Sequence, residues 1–324
     1  MPSTAEAPIG SGLEVPTHMT AMRVHEFGGP ETIVAERIVV PRPAAGEILV
    51  RVHACGAGPW DAWIRSGKSV LPQPLPLTLG SDVSGRVVAV GDQAAGFEID
   101  DPVYGVTNKR FTDGYAEYAI CLGAMMAAKP ASLSDLDAAS VPVIAVTAWQ
   151  MLFDHARLSR GQSVLVQGAA GNVGRFAVQL AAHEGVHVAA VARDADGDTV
   201  RALGAQTVIG RDLATDERFD AVMDLVGGAG QSDLFRLVRP GGSLISAVSE
   251  PDQNIAREAD VRAAFMLVDV TTNILNELTT RLDEGRLSVF VGTVLPLSDA
   301  VQAHRMLDGA VQHPPGKIVL SVRG

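Results

Sequence analysis

The chain has 324 residues, 47% of them hydrophobic but only 5% aromatic, and a formal net charge of −11. That length supports two cores, and so acidic a surface argues against nucleic acid or an anionic membrane as partner. Two cysteines, Cys55 and Cys121, are too few for a disulfide framework or a cysteine-rich zinc lobe and are expected as small core residues. No apolar run reaches the length of a membrane span, and no basic segment followed by an apolar one marks a secretion signal, so a cytoplasmic protein is expected.

Residues 1–18, rich in Pro, Gly, Ser, Thr and Ala, read as a flexible leader, with Met19 or Met22 opening the folded chain. From there to Cys121 short apolar runs such as 47–54, 84–91 and 115–120 are cut by Gly and Pro, which predicts a compact β-barrel-type domain. Residues 141–154 read as a helix broken by Pro142. Strands at 163–167, 186–192, 219–226 and 243–248 then alternate with helices at 173–184, 199–203 and 231–238. Alternation at this spacing predicts βαβ units and a doubly wound parallel sheet. A helix over 270–284 and a strand over 317–322 follow.

The chemistry centres on Gly168-Ala169-Ala170-Gly171-Asn172-Val173-Gly174. This turn follows a buried strand and opens a helix, the setting in which backbone amides and the helix dipole receive a dinucleotide pyrophosphate. Gly171 permits close approach and Gly174 permits helix–strand packing, although Ala169 stands where a strict G-x-G-x-x-G has glycine. An NAD site usually ends its second strand in Asp or Glu. Here Ala192 occupies that place and Arg193 follows, which suits the 2′-phosphate of NADPH, although Asp194 is one residue away. His183-Glu184-Gly185-Val186-His187 spells H-E-x-x-H, but Gly185 is expected to end the helix, so no zinc site is expected there.

In this order, residues 58–67, 80–91, 114–118, 146–149, 168–174, 224–228 and 314–320 resemble the zinc-independent medium-chain dehydrogenase/reductases, the quinone oxidoreductase (zeta-crystallin-like) family. The resemblance implies an α/β protein: a GroES-like β-barrel-type catalytic domain over 19–141 and 269–324, and a Rossmann NADP-binding domain over 142–268. Gly58 and Ser81 stand where zinc alcohol dehydrogenases carry ligands, and neither side chain can hold zinc, so metal-free reduction of a small-molecule quinone or enone by NADPH is expected. Thr147 and Asp61 match positions lining the nicotinamide side of the cleft. Val226, Gly227, Ala247, Val248 and Ser249 would edge the cofactor, and Lys317 would reach the cofactor or substrate mouth or form a structural salt bridge.

Trp63 stands where such enzymes often carry Tyr and would stack on a flat ring; Tyr115 would place a phenol in the cleft or serve the core. Asn108, Lys109 and Arg110 form a loop that meets either solvent or substrate. Two other readings remain open: an enoyl or alkenal reductase acting on acyl thioesters or reactive enals, and a crystallin-like NADPH-binding structural protein with little turnover. A homodimer is expected, with 263–270 as the exposed apolar edge.

Overall fold

The computed structural model describes residues 15–94 and 96–322. All but the last four residues of the expected leader lie outside them, and His18 already opens a strand. The chain divides into two compact units. One comprises the residues up to Val143, Val270–Glu284 and the segment from Ser288; the other comprises Ile144–Asp269 and Gly285–Leu287.

In the first unit, β2 (Val34–Val39), β1 (His18–Val24) and β4 (Leu77–Thr78) form an antiparallel sheet in that order. A seven-stranded sheet runs β15 (Val291–Pro296), β16 (Lys317–Ser321), β3 (Glu47–Ala57), β5 (Asp82–Val90), β6 (Pro102–Val106) and β8 (Met126–Ala128), with β7 (Tyr118–Leu122) also on β3. β3 is the hub. Its Ile48, Val50 and Val52 are buried, β5 covers one edge, and β7 and β16 share the other end to end. Helices α1 (Pro59–Arg65), α2 (Asp135–Ala138), α7 (Thr272–Asp283) and α8 (Ala300–Leu307) complete this unit. α1 begins where Pro59 supplies a preset φ and the Asp61 carboxylate accepts the Gly58 N–H at 2.8 Å.

In the second unit, β9 (Ser163–Gln167), β10 (His187–Val191), β11 (Thr207–Ile209), β12 (Phe219–Asp224), β13 (Val238–Ser246) and β14 (Arg262–Phe265) are all parallel. Their order, β11-β10-β9-β12-β13-β14, reverses direction at β9, the arrangement of a doubly wound dinucleotide-binding sheet. Val164, Leu165 and Val166 of β9 are fully buried, as a central parallel strand covered on both faces requires. α4 (Asn172–His183) crosses from β9 to β10, followed by α5 (Gly197–Ala202) and α6 (Gln253–Glu258). The expected fold class, a doubly wound parallel sheet beside a β-barrel-type unit, is the one observed.

Several local readings need correction. Pro142 opens α3 (Pro142–Trp149) at its first turn instead of breaking it, because a missing N–H costs nothing there, and a π-helical segment, Gln150–His155, carries the chain on. Residues 229–237 wind as a 3-10 helix. Strand β11 was not read from the sequence at all. Of the apolar edge expected at 263–270, only the part up to Phe265 is strand; Asp269 interrupts it, and Met266 and Val270 turn inward. α4 does end before Gly185 (φ +75°), and His187 starts β10, so the two histidines never share a helix. No helix among the described residues is long and apolar enough to cross a membrane.

Candidate functional site

The glycine turn has the expected context. Gly168 leaves β9 at φ +80°, the Gly171 N–H donates to the Gly168 carbonyl at 3.0 Å, and α4 starts at Asn172. A Cβ on Gly174 would lie 2.2 Å from the Gly168 oxygen and 2.7 Å from the Ala169 Cα, so only glycine fits. No side chain caps α4 at Gly171, and the amides of Asn172, Val173 and Gly174 face no protein acceptor among the described residues. An uncapped N-terminus at the end of the central strand fits a diphosphate.

Two further loops meet this turn. A Cβ on Gly168 would sit 3.1 Å from Val226 Cγ2, and one on Gly227 would sit 2.8 Å from Val248 Cγ1. Buried Asp224, at the end of β12, binds them together: Oδ1 accepts the Val226 and Gly227 N–H groups at 3.0 and 2.7 Å, and Oδ2 accepts from Gln231 Nε2 and Ser246 Oγ. Ser246 Oγ in turn accepts the N–H groups of Val248 and Ser249, and Ala247 N–H reaches the Asp224 carbonyl. Gly168–Gly174, Val226–Gly227 and Ala247–Ser249 therefore form one rim at the carboxyl ends of β9, β12 and β13. Thr147 lies on α3, largely buried.

At the end of β10, Ala192 is buried and its N–H donates to the Ile209 carbonyl at 3.2 Å, which sets the ends of β10 and β11 side by side. The Arg193 side chain is 59% exposed, with Nε on Asp196 at 2.7 Å. Arg211 follows Gly210 just past β11, exposed and with no ion pair among the described residues. Sequence reasoning missed Arg211. The signal was the short run Thr207-Val208-Ile209 between Gly204 and Gly210, too brief to stand out from a loop.

In the first unit, Asp61, expected at a cleft, lies in the interior in one cluster with Tyr115 and Lys317, for which a core place and a structural salt bridge were the other expectations. Lys317 and Asp82, 1% and 0% exposed, pair at 3.0 Å. The Lys317 Nζ also sits 4.1 Å from the ring centroid of Trp60, whose Nε1 donates to Ser81 Oγ at 3.2 Å. Asp82 Oδ1 accepts the Val143 N–H. Asp61 Oδ2 accepts the Gly58 N–H and, at a long 3.5 Å, the Tyr115 hydroxyl; Asp61 Oδ1 is buried without a partner among the described residues.

Burial pushes the Asp61 carboxyl up to about 7 against the pull of the Gly58 N–H and Lys317, and Asp82 adds repulsion. Burial also raises Asp82, although Lys317 opposes it. Cys55, whose Sγ donates to the Gly114 carbonyl, is held far above the usual thiol range by burial and then by Asp61, so it is no nucleophile. His304, edge-on to Tyr115 at 5.9 Å, is lowered to about 3 by burial and then by Arg65. Trp63, by contrast, is 47% exposed; the indole on Lys317 is Trp60. Among the described residues no three His, Cys, Asp or Glu side chains group as a metal site.

Residues 44–131 match the family described as alcohol dehydrogenase GroES-like domain, and residues 187–320 match that described as zinc-binding dehydrogenase. The quinone oxidoreductase of Rattus norvegicus is 30% identical over 321 residues, covering 93% of this chain and 96% of that protein. The 2-methylene-furan-3-one reductase of Solanum lycopersicum is 31% identical over 315 residues, covering 91% of this chain and 76% of that protein. The solved quinone oxidoreductase from Coxiella burnetii superposes with a TM-score of 0.86 at 29% identity, covering 94% of this chain and all of that one.

Proposed function

Because this chain belongs to the quinone oxidoreductase-like group of the medium-chain dehydrogenase/reductases, oxidoreductase enzymes that take a nicotinamide cofactor, we propose that it passes hydride from NADPH to a quinone without zinc. The observation that carries this reading is the uncapped start of α4 at a Gly174 that tolerates no Cβ, next to a β10 end with Ala192 and Arg193 in place of an acid.

NADPH bound there would supply the hydride, and the protein's part is to hold, orient and shield. The amides of Asn172, Val173 and Gly174, with Gly168, Ala169, Ala170 and Gly171 shaping the turn, would take the diphosphate. Arg193 and Arg211 would take the 2′-phosphate. Val226, Gly227, Ala247, Val248 and Ser249 would edge the cofactor, and Thr147 would face the nicotinamide. Gly58 and Ser81 offer no ligand where zinc enzymes have them, which supports a metal-free mechanism. Exposed Trp63 would give a flat acceptor a stacking face. Asp61, Tyr115 and Lys317 would fix the start of α1, which carries that indole. The product's proton would come from solvent. An α,β-unsaturated carbonyl as acceptor is a second reading, favoured by the 31% identity to the furanone reductase.

A cytoplasmic homodimer belongs to the same proposal. β14 is the outermost strand of its sheet and leaves an edge for a second copy, which analytical ultracentrifugation tests. For the reaction, NADPH and NADH are titrated into the metal-analysed protein, and oxidation is followed with 1,4-benzoquinone, an alkenal and an enoyl thioester. Tight NADPH binding with quinone turnover and no zinc is the expected result. Firm binding with no acceptor reduced indicates the crystallin-like reading, and stoichiometric zinc overturns the metal-free mechanism.

A further inference from the structure

A groove of about 630 Å3 opens in the first unit beside β1, β2, β7 and the loop after β6, a volume ordinary for a small-molecule site. Met19, Ile38, Ile120 and Leu122 give it an apolar lining, and none of Asp61, Trp63, Tyr115 and Lys317 contributes to it.

Four polar side chains of its lining are more than nine-tenths buried; the hydroxyls of Thr107 and Thr112 are bonded within the adjoining loop, and the other two belong to Tyr118 (8% exposed) and Thr78 (6%). Neither hydroxyl has a hydrogen-bond partner among the described residues, and neither is sealed from the groove. Two hydroxyls that open on the groove without a protein partner leave donors and acceptors for a polar atom received there. The adjoining loop is braced for such a role. Asn108 Nδ2 donates to the Thr112 carbonyl at 2.8 Å and to Asp113 Oδ2 at 3.1 Å, and Asn108 Oδ1 accepts the Arg110 N–H at 2.9 Å. Phe111 and Asp113 hold left-handed φ angles of 61° and 77° within it.

The charges of the lining are unequally engaged. Glu47 accepts the Ala44 N–H at 2.9 Å, and Asp113 accepts from Thr112 and Asn108. Burial raises Asp113 against the pull of the Thr112 and Asn108 hydrogen bonds and, after them, of the Arg110 charge. The Arg110 guanidinium makes no ion pair among the described residues, and Lys109 stands next to it. An apolar floor, two open hydroxyls and an unpaired guanidinium match an apolar molecule with an anionic head.

We propose that this groove binds a medium-chain carboxylate, with its hydrocarbon on Met19, Ile38, Ile120 and Leu122 and its carboxylate received by Arg110 and the wall hydroxyls. The test is calorimetric titration of the full chain with decanoate and with decanol. Decanoate should bind saturably and more tightly than decanol. Arg110→Gln should weaken decanoate about tenfold and leave decanol unchanged, and Tyr118→Phe should weaken it severalfold. Arg110 is at an exposed loop tip and Phe keeps the ring of Tyr118, so both variants should fold, with unchanged NADPH affinity as the check. No saturable binding, equal binding of decanol, indifference to both substitutions, or displacement by 1,4-benzoquinone each overturns the proposal.

Discussion

Asp61→Asn should abolish a pH dependence of stability that the wild-type protein shows between 3.8 and about 7. In the folded chain burial keeps this carboxyl protonated up to about 7, whereas in the unfolded chain it ionises near 3.8. The folded state therefore holds one extra proton across that window. The contribution is fully present below the unfolded pKa and is lost as pH rises through the folded one. At about 1.4 kcal/mol per tenfold step the whole gap is about 4 kcal/mol, of which about 3 kcal/mol falls between pH 5 and 8. Asn imitates the neutral acid: its oxygen can still accept from Gly58 and Tyr115, and its amide nitrogen takes the place of the partnerless Oδ1. Urea denaturation at pH 5 and 8, followed by tryptophan fluorescence, reads the difference, with Trp60 reporting from the same cluster. Asp82 and Asp113 also titrate high, but they are common to both proteins and cancel to first order. If the variant loses stability in parallel with wild type, within about 1 kcal/mol, Asp61 is not neutral at pH 5 and the reasoning fails.

Gly174→Ala should cut NADPH affinity by about tenfold or more, since its Cβ would meet backbone at 2.2 Å; unchanged binding in a fluorescence titration would refute the tight turn. Arg193→Ala and Arg211→Ala should each lower the NADPH-to-NADH affinity ratio about tenfold and spare NADH, and an unaltered ratio removes that arginine from the 2′-phosphate. Lys317→Met should destabilise the protein by about 3–5 kcal/mol in denaturant melts, because it leaves Asp82 ionised or protonated in the interior without its cation; a loss below about 1 kcal/mol would mean that water reaches the pair.

What could be read in advance was local. Strand–helix alternation after residue 163 carries the doubly wound sheet, and the run Val164–Val166 leading into Gly168 places the turn, because these signals need only neighbours in sequence. Likewise Gly185 ends α4 through its own left-handed φ. The interior cluster was not legible as a cluster. Asp82 and Lys317 are 235 residues apart and meet because β16 lies against β3, which in turn pairs with β5. Trp60 and Trp63 lie about 60° apart around α1, so periodicity barely separates them. Tertiary packing turned Trp60 onto Lys317 and left Trp63 outside. Arg211 escaped for a similar reason, since only the parallel pairing of β10 with β11 sets the end of β11, which Arg211 follows, beside the end of β10.

The route of the chain also sets an order of events during synthesis. All six strands of the parallel sheet lie between residues 163 and 265, so that unit can close while the ribosome is still making the rest. The first unit cannot. Half of one edge of β3, Ala54–Ala57, has no strand beside it until Ser321 has emerged, and the cation that neutralises Asp82 arrives with the same strand. β3, made well before β16, is therefore among the last strands to mature, and a ribosome stalled near residue 310 would present an open strand edge with a buried acid still lacking its counter-ion.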